Sequence, residues 1–173
     1  MPGNIALIGF MGSGKSTVGP ILAADLGWSF VDTDNLIEKK TGLSIKEIFA
    51  CYGETHFREL ERKAVAEAVS GKRAVIATGG GAVLSLENMQ RLKEGNKVVW
   101  LQVQPDTVLQ RTGTAEDRPL LQGQKGENIV NLLEQREKYY TCADVWLTVD
   151  AMKPAEVAAA IKGALQRWLA CLA

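Results

Sequence analysis

A glycine-rich segment near the N-terminus has the residue types and spacing for binding phosphate. It is Gly9-Phe10-Met11-Gly12-Ser13-Gly14-Lys15-Ser16, with the apolar run 5–8 before it and helical spacing after it. The glycines let backbone N–H groups converge on phosphate oxygens, and a helix beginning near Gly14 adds its dipole. Lys15 would neutralise the β- and γ-phosphates, and the Ser16 hydroxyl suits the Mg²⁺ that accompanies ATP. An ordinary glycine-rich turn is the alternative, but the complete motif between a strand and a helix favours a P-loop.

Two aspartates follow the next apolar run, residues 28–31. In open α/β sheets, ligands bind beyond the carboxyl ends of the strands, which makes Asp32 and Asp34 candidates for the site. In an extended segment both carboxylates would project to one side, with one near Mg²⁺ and the other near a substrate hydroxyl. The alternative is a helix cap, which Asp34 or Asn35 could supply.

Three consecutive glycines follow the apolar run 74–77 and Thr78. Gly79, Gly80 and Gly81 would leave a flat floor on which a ligand can contact backbone N–H groups. A plain turn is the alternative, but a turn rarely needs three glycines in a row. The segment is therefore predicted to lie at the same edge of the sheet as the P-loop.

Four arginines are candidates for binding anions. Arg58 and Arg136 lie on predicted helices among apolar neighbours, where their guanidinium groups could bind a carboxylate in a bidentate manner. The alternative is solvated surface or an ion pair with a nearby glutamate. Arg111 and Arg118 bracket the start of a polar stretch, about 112–125, that is predicted to be a lid. A lid arginine could stabilise the charge of a transferring phosphoryl group.

Five short apolar runs alternate with helical patterns, which predicts one α/β domain over residues 1–173 with a parallel sheet covered on both faces. Ser44 and Glu47 form a capping-box sequence that opens a helix, and Gly53 should interrupt that helix. Pro20 lies beyond the first turn of its helix, so it should kink it. The predicted strands are 5–8, 28–31, 74–77, 97–101 and 145–149. The predicted helices are 15–26, 36–40, 45–52, 54–69, 86–92, 105–111, 129–140 and 154–169.

Composition excludes several broad classes of function. The 173 residues carry 20 basic and 20 acidic side chains, so no net field draws the protein to nucleic acid or to a membrane. No apolar run approaches the length of a membrane span. The three cysteines form no CxxC pair and no metal-binding spacing with the single histidine, which suits a reducing cytoplasm.

Taken together, these motifs are similar to those of the shikimate kinase family, and the similarity covers nearly the whole chain. The P-loop alone is shared by many ATPases and kinases, so the specificity comes from the combination. The matching segments are 9–17, 30–34, 44–49, 53–54 with 57–59, 77–83, and Asp117-Arg118-Pro119-Leu120-Leu121.

The resemblance implies a three-layer α/β/α P-loop kinase with five parallel strands in the order 2-3-1-4-5. It implies ATP-dependent phosphorylation of shikimate at the 3-hydroxyl by a cytoplasmic monomer. A substrate-binding region of helices at about 34–61 and a lid at about 112–125 would complete the site.

The resemblance also implies roles for individual residues. The catalytic residues would be Lys15, Asp34 and Arg118. ATP would be bound by Gly12, Ser13, Gly14, Lys15, Ser16, Thr17, Arg111, Arg118 and Pro154. Shikimate would be bound by Asp34, Arg58, Gly79, Gly80, Gly81 and Arg136. Mg²⁺ would be held by Ser16 and, through water, by Asp32.

One departure and two alternatives accompany this prediction. Pro20 stands where the family usually has arginine or lysine, past the phosphate-binding end of its helix. One alternative is another small-molecule P-loop kinase, such as a gluconate or nucleoside monophosphate kinase. The other is a noncatalytic nucleotide-binding module, which would be expected to lose Lys15, Asp34 or the lid arginine.

Overall fold

The computed structural model describes residues 3–112 and 125–171, which contain one five-stranded parallel sheet. The strand order is β2-β3-β1-β4-β5, as predicted. The strands are β1 (Ile5–Ile8), β2 (Ser29–Asp32), β3 (Ala74–Ala77), β4 (Lys97–Gln102) and β5 (Val145–Thr148). Strand β1 is central, with Ala6 paired to Ile76 on one side and to Val98 on the other.

Helices cover both faces of the sheet. They are α1 (Lys15–Leu26), α2 (Thr33–Thr41), α3 (Ile45–Ser70), α4 (Leu86–Lys93), α5 (Pro105–Thr112), α6 (Lys125–Tyr140), α7 (Pro154–Ala164) and α8 (Gln166–Ala170), with a 3₁₀ turn at Ala82–Leu84. Successive side chains of β1 enter different cores. Ile5 and Leu7 pack in the cluster that contains residues of α1 and α7, and Ala6 and Ile8 in the cluster that contains residues of α3 and α4. Because both faces are buried, β1 is apolar at every position.

Local signals set most of the helix ends. The Ser44 capping box is present, since Ser44 Oγ accepts the N–H of Glu47 and the Glu47 carboxylate accepts the N–H of Ser44. Gly53 has φ 77° and interrupts α3 where the sequence predicted a break. The C-terminal prediction was wrong, because α7 ends at Ala164 and a separate α8 follows Leu165.

Pro20 lies within an unbroken α1 that extends to Leu26. Pro20 and Ser16, whose carbonyl loses a backbone donor, are both exposed residues of this helix. The proline therefore does not end the helix, and the kink stays a prediction.

Among residues 3–112 and 125–171, no helix combines the length and the apolar character needed to cross a bilayer. Cys51, Cys142 and Cys171 are free thiols.

Candidate phosphoryl-transfer site

The P-loop connects β1 to α1 through conformations that require glycine. Gly9 has φ +146°, and a Cβ there would lie 2.6 Å from the Leu101 carbonyl oxygen. Gly14 has φ +91° and caps α1. A side chain at either position would strain the turn, so the glycines fix how the loop wraps around the start of the helix.

The Lys15 ammonium lies in the middle of this loop. Nζ donates to the carbonyl oxygens of Gly9 and Phe10 at 2.8 and 2.9 Å, and the residue is 8% exposed. This position puts a buried positive charge in the same concavity as the N-terminus of α1. The two features favour an anion there.

Ser16 and Asp32 meet across the site. Ser16 Oγ donates to Asp32 Oδ2 at 2.6 Å, while Asp32 Oδ1 accepts the N–H groups of Asp34 and Asn35. Asp32 therefore caps α2, which begins at Thr33. The predicted extended segment with alternating carboxylates was wrong, because the cap turns the chain into a helix directly after the strand. The predicted cap was also misplaced, since it is Asp32 rather than Asp34 or Asn35.

The Ser16–Asp32 pair fits Mg²⁺ chemically. A hydroxyl and a carboxylate are the hard oxygen donors that this ion prefers. No group of three or more histidine, cysteine, aspartate or glutamate side chains within the described ranges could hold a metal alone. An ion at Ser16 and Asp32 would therefore complete its shell with phosphate oxygens and water, as Mg²⁺ does when it accompanies a nucleotide.

Two clefts meet at this pair. The first, which we call the nucleotide cleft, has a volume of about 530 Å³, and the second, the acceptor cleft, about 360 Å³. The nucleotide cleft contains every described residue of the predicted ATP set, namely Gly12, Ser13, Gly14, Lys15, Ser16, Thr17, Arg111 and Pro154. The acceptor cleft contains the whole predicted shikimate set, namely Asp34, Arg58, Gly79, Gly80, Gly81 and Arg136. Both clefts share Met11, Ser16, Asp32, Asp34 and Gly80.

Arg111 forms one wall of the nucleotide cleft. Its guanidinium donates to the carbonyl oxygens of Gly12 at 3.0 Å and Val149 at 3.3 Å. It thereby joins the P-loop to the segment after β5, on which Pro154 lies. Arg118 and residues 113–124 of the predicted lid lie outside the described residues.

Asp34 stands where the two clefts meet. Its Oδ1 is shielded from water and has no hydrogen-bond partner among the described residues. Burial, followed by the negative charges of Asp32 and Glu61, raises the pKa of Asp34 to about 6, although the Lys15 charge opposes the shift. A carboxyl group with this pKa can accept a proton near neutral pH.

Arg58 and Arg136 enter the acceptor cleft from α3 and α6. Arg58 donates to Glu54 at 2.9 Å and to the buried Glu61 at 3.0 Å, so it takes part in ion pairs and also lines the cleft. Arg136 is 5% exposed, and its guanidinium lies 5.6 Å from the centre of the Phe10 ring. The cleft therefore holds two arginines that are largely shielded from water.

Each of the three glycines lies close to a different group of atoms, whereas the sequence predicted only a flat floor for a ligand. A Cβ on Gly79 would lie 2.8 Å from both Asp34 Oδ1 and Glu61 Oε1. A Cβ on Gly81 would lie 2.7 Å from Arg58 Nη2. On Gly80 it would lie 3.3 Å from the backbone nitrogen of Met11. Because glycines have no side chain, two carboxylates, the P-loop backbone and a guanidinium can all approach this segment closely.

Sequence reasoning did not assign Glu61, Phe49 or Phe57 to the site. Glu61 is 1% exposed, and burial raises its pKa while Arg58 opposes that shift. Its spacing of three residues from Arg58 on a helix was the available signal. The two phenylalanine rings, 4.6 Å apart, line the acceptor cleft, and Phe57 also belongs to a core cluster.

A family model, two relatives and one solved structure at 38% identity or more to this chain carry the same description. The family model for shikimate kinase matches residues 11–166. A shikimate kinase of Moorella thermoacetica is 58% identical over 172 residues, 99% of each chain. One of a Sulfurihydrogenibium species is 46% identical over 164 residues, 95% of this chain and 98% of that one. The solved structure of a shikimate kinase from Acinetobacter baumannii in complex with shikimate has a TM-score of 0.92 and 38% identity, covering 96% of this chain and 95% of that chain.

Proposed function

The chain belongs to the shikimate kinase family, and we propose that it transfers the γ-phosphoryl group of ATP to the 3-hydroxyl of shikimate at the junction of its two clefts. The observation that carries this proposal is the set of residues shared by those clefts. Ser16 and Asp32 place a hydroxyl and a carboxylate at that junction, and Asp34 is a carboxylate with a raised pKa at the same place. Phosphoryl transfer requires such a junction because donor and acceptor must approach in line.

The nucleotide cleft would bind the phosphates of ATP through the P-loop backbone and Lys15. The Lys15 ammonium already lies within the loop, where it would exchange a loop carbonyl for a phosphate oxygen. Ser16 and, through water, Asp32 would hold Mg²⁺, which would supply positive charge to the phosphate oxygens. Arg111 and Pro154 would flank the adenine, in keeping with their places in the cleft wall.

Asp34 would orient the acceptor hydroxyl and accept its proton. Asp34 lines both clefts, and its pKa of about 6 leaves it ionised at neutral pH. The same pKa makes it a stronger base than an ordinary aspartate. Attack on the γ-phosphorus would then proceed without a histidine.

Arg58 and Arg136 would bind the carboxylate of shikimate. Two guanidinium groups in one partly buried cleft provide charge and directed donors for such a group. The ion pair with Glu61 would hold Arg58 in place, while the exposed Glu54 could give up its contact when the acceptor enters. The Phe49 and Phe57 rings would contact the carbon ring.

The remaining parts of the proposal come from the family resemblance. Arg118 would reach the transferring phosphoryl group from a lid at about 112–125, and lid closure would exclude water. We also propose that the protein acts as a cytoplasmic monomer.

Coupled ADP release with Mg-ATP tests the proposal, with shikimate and then gluconate as the acceptor. We expect a shikimate-dependent rate that falls by at least about a hundredfold in Arg58→Ala at subsaturating shikimate, because a charge-assisted contact is lost. Arg62→Ala, one turn along the same helix and outside the acceptor cleft, is the matched control. Thermal unfolding is followed in parallel, since Arg58→Ala leaves the buried Glu61 unpaired.

Each outcome points to a different assignment. A rate with gluconate alone would support the other small-molecule kinase. Binding of ATP without stimulation by either acid would support the noncatalytic module. An undiminished shikimate rate in Arg58→Ala would remove Arg58 from the carboxylate site.

A further inference from the structure

Tyr140 is a buried polar side chain that the proposed mechanism does not use. The residue is 1% exposed, and its ring stacks on Trp100 with centroids 5.5 Å apart and planes inclined by 20°. Its hydroxyl donates to the Gly80 carbonyl oxygen at 2.8 Å. The ring therefore belongs to the core, while the hydroxyl alone reaches the backbone of the site.

Gly80, which accepts the hydrogen bond from Tyr140, lines both clefts. Gly80 is close to the P-loop, since a Cβ on it would lie 3.3 Å from Met11 N and 3.6 Å from the Gly9 carbonyl oxygen. A run of glycines has no side chains to hold it, so hydrogen bonds must restrict its backbone. Thr33 Oγ1 accepts the N–H of Gly79 at 3.1 Å, and Tyr140 holds the next residue.

The same hydroxyl lies beside Arg136. Residues 136 and 140 are four apart on α6 and therefore lie on one face of it. The Arg136 charge opposes the rise in the pKa of Tyr140 that burial causes, which reflects their proximity. Because the hydroxyl proton is directed to Gly80, the oxygen lone pairs of Tyr140 remain able to accept from the guanidinium.

We propose that Tyr140 is a positioning residue for the acceptor: its hydroxyl fixes the Gly80 backbone against the P-loop and holds Arg136 at the acceptor cleft. The inference rests on the proposed function, because it assigns that cleft to shikimate. Tyr140 lines neither cleft itself and therefore acts through its two partners.

Tyr140→Phe tests the role, because it removes the hydroxyl and keeps the ring in the core. We expect the KM for shikimate to rise about tenfold, as for one lost hydrogen bond to a buried group. The KM for ATP should stay within about twofold and kcat within about threefold, since Lys15 and Asp34 are unchanged. Isothermal titration with shikimate should show the same tenfold loss of affinity.

Two further variants separate positioning from general weakening of the fold. Tyr139→Phe makes the same chemical change on the exposed neighbouring tyrosine and should leave both KM values unchanged. Leu92→Val truncates another fully buried side chain of the core cluster that contains Tyr140. It should lower the unfolding midpoint without a selective rise in the KM for shikimate.

The proposal is overturned if Tyr140→Phe leaves the KM for shikimate within twofold of the parent, or raises both KM values equally. It is also overturned if Leu92→Val reproduces the selective effect. If the parent shows no shikimate-dependent rate, the proposed function fails, and hydrogen exchange then decides the positioning role. Faster exchange of the amides of 79–84 in Tyr140→Phe than in Tyr139→Phe would support it, and equal exchange would refute it.

Discussion

Replacing Asp34 with asparagine should stabilise the fold at neutral pH while abolishing turnover. The pKa of Asp34 is raised from 3.8 to about 6, chiefly by burial. The folded protein therefore binds this proton more tightly than the unfolded chain does. The stability that the proton contributes is complete below pH 3.8 and is lost as the pH rises through 6. A shift of about two units corresponds to about 3 kcal/mol, which the ionised carboxylate costs the fold at pH 8. Asparagine does not titrate and avoids that cost.

Urea unfolding of the parent and Asp34→Asn at about pH 5 and pH 8 measures this effect. At pH 8 we expect the free energy of unfolding of the variant to exceed that of the parent by about 3 kcal/mol. At pH 5 the gain should be about half as large, because Asp34 is then mostly protonated in the folded parent. Asp25→Asn makes the same change at an exposed position and serves as the control.

The pH dependence decides whether the reasoning holds. An equal gain at both pH values would mean that the stabilisation does not come from the Asp34 charge. No gain at pH 8 would mean that burial does not raise the pKa. Coupled ADP release should fall by orders of magnitude in Asp34→Asn while isothermal titration still detects ATP; turnover close to that of the parent would remove Asp34 from catalysis.

Three other predictions concern the acceptor cleft and helix α1. In the parent, kcat/KM for shikimate should rise between pH 5 and pH 7 with an apparent pKa near 6, because Asp34 acts when ionised. Glu61→Gln should lower this apparent pKa, since it removes a negative charge near Asp34. A higher apparent pKa in that variant would contradict the assignment. Gly81→Ala should displace the Arg58 guanidinium and raise the KM for shikimate severalfold with little change in the unfolding midpoint; an unchanged KM would show that Arg58 tolerates the extra methyl group. Pro20→Ala should raise the free energy of unfolding by up to about 3 kcal/mol in a denaturant titration, and no gain would mean that α1 accommodates the proline.

The sheet and the P-loop could be predicted from the sequence because their signals are local. A continuous apolar run marks a strand covered on both faces, and the glycine pattern before Lys15 identifies the phosphate-binding turn. The capping box at Ser44 and the break at Gly53 are local for the same reason.

Other features depend on contacts between segments that are distant in sequence. The Asp32 carboxylate caps α2 and also accepts a hydrogen bond from Ser16, which is distant in sequence. Because residue spacing does not reveal that contact, it left an extended segment and a helix as alternatives. Glu61 looks like any helical glutamate until α3 packs beside the glycine run and buries it. The three glycines were recognised as unusual, but the atoms that each one admits become evident only from the tertiary structure.

The two shielded carboxylate oxygens beside Gly79 have a consequence for fidelity among related acids. Asp34 Oδ1 and Glu61 Oε1 lack a hydrogen-bond partner within the described part of the chain. Because both oxygens are already shielded from water in the free protein, an acid of suitable shape that carries no donor toward them would leave them unsatisfied, whereas an acid that presents a hydroxyl would remove that cost. Sites of this kind reject the deoxy analogue of a hydroxylated molecule more strongly than a hydrophobic pocket rejects a missing methylene. Fidelity would then arise because the correct acid relieves a cost that a wrong acid of the same shape leaves in place.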